Sequence, residues 1–188
     1  MLEQLKKLRH YFDHGNTRSY AFRIAQLKKM KRMLLENEEE IFKALHQDLK
    51  KSPEEVWVTE LGLVLSEISM AISQLHHWMK TRKVSTNLLN FPSRSYIIPE
   101  PLGVVLVISA WNYPLQLLLK PAVGAIAAGN CVVLKSSEHA PATSALMKKM
   151  FDAHFDEEYI LFVEGDGATV IPEMMNNFVF DQIGRAHV

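Results

Sequence analysis

"EPLGVVLVISAWNYPLQLLLKPAVGAIAAGNCVVLKSSE", residues 100–138, decides the fold. Gly103 to Ser109 is β-branched and apolar throughout, the pattern of a strand buried on both faces. The run stops after Ala110 at Trp111, Asn112 and Tyr113, and Pro114 opens a helically spaced segment that reaches Ala128. Proline suits the first helical position, because its missing N–H would have no partner there. Cys131 to Leu134 then repeats the buried-strand pattern.

Downstream the alternation continues. Pro141 to His154 reads as a helix, Ile160 to Val163 as a third strand and Ala168 to Met175 as a short helix, and Phe178 to Phe180 begins a fourth strand. Strands without a polar face, separated by helices, predict an α/β fold: a parallel, Rossmann-like sheet covered on both sides.

Upstream, residues 1–80 read as helices. Tyr20, Ile24, Leu27 and Leu34 fall at helical spacing, and the charged blocks Lys28–Arg32 and Glu36–Glu40 read as solvated faces. Asn37 is placed to cap the next helix, which runs to about Lys50 with Glu38, Glu39 and Glu40 at its positive end. Ser52, Pro53, Glu54 and Glu55 spell a second start, predicting one long helix from Val56 to Met79. Residues 81–101 change character: short extended runs near Val84 and Tyr96–Ile98, punctuated by prolines, read as a β-ribbon outside the core.

The 188 residues are 48% hydrophobic, enough for a real core. Lys+Arg and Asp+Glu are both 21, so no global field favours nucleic acid or an acidic membrane. The single cysteine, Cys131, excludes an internal disulfide and points to a reducing, cytoplasmic setting. No uninterrupted apolar run approaches the ~18 residues of a membrane span, and the N-terminus is amphipathic, unlike a signal peptide.

Asn112 stands just past the carboxyl end of the first parallel strand, where open α/β sheets bind ligands. A neutral amide there donates without bringing a charge, which suits an oxygen that turns negative during reaction. The plain alternative is a turn asparagine before a proline-started helix. Lys135 ends the second strand, and Glu138, 26 residues past Asn112, is compatible with the acidic residue that meets a ribose hydroxyl about 20 residues past the first strand. The alternative is a surface ion pair. Cys131 opens an apolar strand and reads as a small buried hydrophobe. His76 and His77 diverge on a helix and do not form a metal pair, so no metal site is expected. Gly124 and Gly129 lack the lysine of a phosphate loop and read as packing glycines.

The stretch from Glu100 to Glu138 closely resembles the aldehyde dehydrogenase superfamily. The residues that carry this are Glu100-Pro101-Leu102-Gly103, Trp111-Asn112-Tyr113-Pro114, Ala125-Ile126-Ala127-Ala128-Gly129-Asn130, and Val132-Val133-Leu134-Lys135 followed by Ser137-Glu138. Upstream, "TRSYAFRIAQLKKM", "ALHQDLKKSPEE" and "TELGLVLSEI" look like the class 3 branch. The resemblance covers residues 8–182. It implies NAD(P)-dependent oxidation of an aldehyde to a carboxylic acid. In that family a cysteine thiolate attacks the aldehyde carbon, a hydride leaves the resulting oxyanion for NAD or NADP, and a glutamate-activated water releases the acid. Asn112 maps to the asparagine that donates to the oxyanion. Ile108, Ser109, Ala110 and Trp111 map to the cofactor cleft, and Lys135 and Glu138 to the adenosine ribose.

The resemblance also implies a division of the chain. Residues 1–80 are the helical part of the cofactor domain, 81–101 a β strap that serves a homodimer, and 102–182 the first half of the NAD(P)-binding domain. The nucleophilic cysteine and the glutamate base lie beyond residue 188, so this chain alone is expected to be inactive. Two departures stand out. Ser136 replaces the usual proline, which would loosen that loop, and Ile183-Gly184-Arg185 stand where a phosphate-contacting Gly-Ser loop belongs. The final "IGRAHV", residues 183–188, back-translates to ATCGGAAGAGCACACGTC, a string found in sequencing adapters, and is expected to be a non-native tail of a longer protein. Rival readings are a catalytically silent relative that binds a nucleotide or partner, and a reductase of activated acyl groups. A purely helical interaction module would explain only residues 1–80.

Overall fold

In the computed structural model residues 1–185 are described. Leu2–Asp13 (α1) buries Leu5, Leu8 and Phe12 across three strands of the main sheet. Tyr20–Glu36 (α2) is capped by Ser19, whose Oγ accepts from Phe22 N at 3.1 Å. Asn37 occupies the N-cap position of Glu38–Leu49 (α3) but makes no capping bond there. Its amide instead donates to Met33 O at 2.8 Å and closes the end of α2.

The long helix predicted from Val56 is continuous but not uniform. Pro53–Val56 (α4) leads into a π turn, Trp57–Leu61, and then Gly62–Trp78 (α5). Gly62 N donates to Trp57 O, and a Cβ on Gly62 would come within 2.5 Å of that oxygen, so the turn requires glycine. Among the described residues, Pro53–Trp78 is one helix long and apolar enough to cross a membrane, with mean hydropathy 1.4. Glu60, Ser66, Glu67 and Ser69 interrupt it, so it is not an uninterrupted apolar run. Its buried face, Val64, Leu65, Ile68, Ala71 and Leu75, packs on α2 and on the helix Pro114–Ala128. Each of the larger side chains, Val64, Ile68 and Leu75, contributes roughly 1.5–3 kcal/mol when fully removed from water.

Arg82–Val84 (β1) and Ser95–Ile97 (β2) pair antiparallel, and the loop between them holds Leu88, Leu89 and Phe91 in solvent. The main sheet contains Val104–Ile108 (β3), Cys131–Lys135 (β4), Ile160–Val163 (β5) and Gln182–Arg185 (β6). All its pairings are parallel, in the order β5-β4-β3-β6. The helices Pro114–Ala128 (α6), Pro141–His154 (α7) and Gly167–Asn177 (α8) connect them. This is the predicted Rossmann-like α/β arrangement, and one apolar core joins it to α1–α5.

The fourth strand lies later than predicted. Phe178–Phe180 would face residues before Val104, where β3 has not begun, so it has no ladder to join. Pairing starts where Asp181 N donates to Val104 O at 3.0 Å and Asp181 Oδ2 accepts from Val104 N at 2.7 Å. Ile183, Gly184 and Arg185 are therefore part of β6, not of a loop after it. The remainder of the expected tail, residues 186–188, lies outside the described residues.

Candidate functional site

The sheet progresses from β3 through β4 to β5 and then reverses, setting β6 on the other side of β3. Such a switch point leaves a crevice at the carboxyl ends of the strands. A cleft of about 650 Å³ opens there, with Ile108, Ser109, Ala110 and Trp111 on one wall and Lys135 to Glu138 on another. The first turns of α8 close it with Gly167, Ala168, Ile171 and Pro172. The six residues assigned to a cofactor from the sequence thus share one cleft. The α8 wall went unnoticed, because nothing in "EGDG" signals a partner 29 residues earlier.

The two charges of the cleft are fixed differently. Lys135 is 1% exposed; its Nζ donates to Ser136 O and lies 3.5 Å from Glu138 Oε2. Glu138 is more open, and its Oε1 accepts from Gly167 N at 3.0 Å. Burial alone would raise its carboxyl pKa. Hydrogen bonds from its own N–H and that of Gly167, with the Lys135 charge, outweigh burial and hold it below the ordinary carboxylate range.

Ser136 does not loosen this loop. Its N–H donates to Val163 O at 3.2 Å, continuing the β4–β5 ladder by a bond that proline has no hydrogen to make. Its Oγ lies 2.6 Å from Ser144 Oγ. Ser109 Oγ ties the other wall to the start of α6, its single hydroxyl hydrogen shared between Ala110 O at 2.9 Å and Pro114 O at 3.1 Å.

Asn112 is one residue beyond Trp111 and does not line the cleft itself. Its Oδ1 accepts from Tyr113 N at 3.1 Å. The acceptor is thus used by the turn, and the Nδ2 donors are the part of the amide left for a ligand.

The sequence reading missed what lies beneath this turn. Lys51, 7% exposed, donates from Nζ to Asn112 O at 2.9 Å and to Glu60 Oε1 at 2.6 Å, and sits 3.9 Å from the centre of the Tyr113 ring. Glu60 is fully buried, and its Oε2 accepts from Leu115 N at 2.9 Å and Gln116 N at 3.3 Å. A glutamate inside the apolar stripe of Val56, Leu61 and Val64 was the available signal; Lys51 gave none.

The remaining candidates separate cleanly. Cys131 is fully buried, and burial pushes its thiol up to about 12, so it stays protonated. Among the described residues no cluster of His, Cys, Asp or Glu could hold a metal. Gly129 ends α6 at φ +90 with the Arg23 guanidinium against it, whereas Gly124 faces open space and is not needed for packing.

Residues 5–184 match the aldehyde dehydrogenase family. Aldehyde dehydrogenase family 3 member I1, chloroplastic, of Arabidopsis thaliana is 48% identical over 159 residues, 85% of this chain and 29% of that protein. AldH of Staphylococcus aureus, solved in a substrate-bound state, superposes with a TM-score of 0.90 at 36% identity, covering 96% of this chain and 39% of that one. An aldehyde dehydrogenase of Pseudomonas syringae solved with NAD+ and octanal superposes with a TM-score of 0.78 at 24% identity, covering 97% and 36%. The chain thus spans about a third of the length of the proteins it matches.

Proposed function

The chain belongs to the aldehyde dehydrogenase family, and from that premise we propose that it is the amino-terminal part of an enzyme that oxidises an aldehyde to a carboxylic acid with NAD or NADP. The observation that carries this is the joint cleft at the switch point: an apolar wall, a buried cation at Lys135 and an ionised carboxylate at Glu138, with the Asn112 amide one residue past its rim.

These residues suit an adenosine. Ile108 and Ile171 offer apolar walls for the base, and Lys135 and Glu138 offer a donor and an acceptor for a ribose diol. The bound dinucleotide supplies the hydride acceptor. This chain's part is to hold the cofactor and to present the Asn112 Nδ2 donors where the aldehyde oxygen becomes an oxyanion. Its one thiol is buried and protonated, so the attacking cysteine belongs to another part of the enzyme, and residues 1–188 alone oxidise no aldehyde. The ribbon of residues 81–101, with Leu88, Leu89 and Phe91 exposed, serves as the strap of a homodimer.

The test is aldehyde-dependent NAD(P)H formation by the full-length protein. Asn112→Ala is expected to lower kcat by roughly 100- to 1000-fold with little change in cofactor affinity. No aldehyde-dependent reduction, or an undiminished kcat in Asn112→Ala, overturns the proposal.

A further inference from the structure

The first turn of α6, directly behind Asn112, has no cap of its own. Tyr113, at the N-cap of α6, offers no capping side chain, and Pro114 has no N–H. The next two donors, Leu115 N and Gln116 N, are taken by Glu60, which comes from 55 and 56 residues away. Glu60 sits on the π turn that Gly62 permits, and a widened turn redirects a side chain by inserting a residue into the helical register. Its other oxygen holds Lys51, and Lys51 in turn holds the carbonyl of Asn112.

Neither Lys51 nor Glu60 lines the cleft, and exposures of 7% and 0% keep both from substrate and cofactor. A buried ion pair is a poor device for stability alone, because desolvation offsets most of its attraction. Its geometry is better explained by what it fixes. The pair binds the peptide carbonyl of the donor residue and the first turn of the helix behind it, and the Lys51 ammonium against the Tyr113 ring braces the following residue. We infer that Lys51 and Glu60 are positioning residues: through a π turn they set the place and orientation of the Asn112 donor relative to the developing oxyanion. This rests on the reading of Asn112 given above.

The test compares the full-length enzyme with Lys51→Met/Glu60→Gln, with Asn112→Ala, and with all three changes together. Removing both charges at once leaves no buried ion alone, which keeps the fold accessible. The double variant is expected to lose kcat by roughly 10- to 100-fold, the scale of a misplaced catalytic group. Cofactor Kd, read by binding titration, should stay within about twofold, and the change should add no loss in the Asn112→Ala background. An unchanged kcat in the double variant, or a loss that multiplies with that of Asn112→Ala, overturns the inference while the oxyanion reading stands. Asn112→Ala at the wild-type rate overturns that reading and the inference with it. A misfolded double variant is replaced by Glu60→Asp, which keeps the buried pair charged while drawing the carboxylate back from Leu115 N and Gln116 N; kcat is expected to fall several-fold at constant cofactor Kd, and an unchanged kcat overturns the inference.

Discussion

Glu138 Oε1 accepts a hydrogen bond from Gly167 N at 3.0 Å, joining the loop after β4 to the first turn of α8 across the mouth of the cleft. The ionised carboxylate is the stronger acceptor for this bond, and the folded protein holds the proton less tightly than the unfolded chain does. Its contribution is therefore present above the ordinary carboxylate range and is lost as pH falls through the lowered value. Wild-type protein should melt above Glu138→Gln at pH 7, and the gap should narrow as pH falls below the ordinary carboxylate range. Melting curves at stepped pH check this; a gap that does not change with pH would remove the carboxylate from the account.

Cys131 should resist modification. With the thiol fully buried and pushed up to about 12, a neutral alkylating reagent at pH 8 finds almost no thiolate and no path to it. Labelling should be slow in the folded protein and complete in denaturant, followed by mass. Cys131→Ala should cost about 1 kcal/mol of packing and leave the catalytic rate unaltered. A rate that vanished with this thiol would show that the chain carries its own nucleophile.

Asn130 should be costly to remove for a reason outside the cleft. Its Oδ1 accepts from Leu102 N at 2.8 Å and Gly103 N at 2.9 Å, and its Nδ2 donates to Ala125 O at 3.2 Å. One side chain thus joins the start of β3 to the end of α6. Asn130→Ala strands two backbone donors, each worth roughly 1–3 kcal/mol when buried unpaired. Chemical denaturation should register a loss of about 2–5 kcal/mol, and Asn130→Asp, which keeps the acceptor, should lose less.

What could be read from the sequence was local. Pro53, Pro114 and Pro141 each mark a helix start where the structure has one, and the apolar runs at β3, β4 and β5 fall within a residue of their observed bounds. These signals lie within a turn of what they specify. The misses are relations across the chain. Phe178–Phe180 has the composition of a strand, but a strand needs a neighbour, and Asp181 begins the pairing later. The π turn leaves the apolar periodicity almost undisturbed, so only the packing of Gly62 against Trp57 reveals it. Ser136 looked like a weakened proline because its ladder partner, Val163, is 27 residues away.

Asp48 extends this pattern to α7. That helix also begins with a proline behind a residue that cannot cap, Ala140. Asp48, from the end of α3, accepts from Ala142 N at 3.1 Å and Thr143 N at 2.8 Å, and from Thr143 Oγ1 at 2.8 Å. Two sheet-covering helices, α6 and α7, are therefore capped by carboxylates lent from the amino-terminal helices, and the helix dipole favours a negative group at each site. A cap supplied from 94 residues away does two things at once: it satisfies orphan donors and it fastens α3 to the sheet domain. Asp48→Ala should cost about 1–2 kcal/mol, the range of a lost N-cap. Local loss of a cap and loss of docking predict different exchange patterns. If the cap alone matters, only the Ala142 and Thr143 amides should exchange faster. If docking matters as well, the amides of α3 should lose protection with them, which is the outcome expected here.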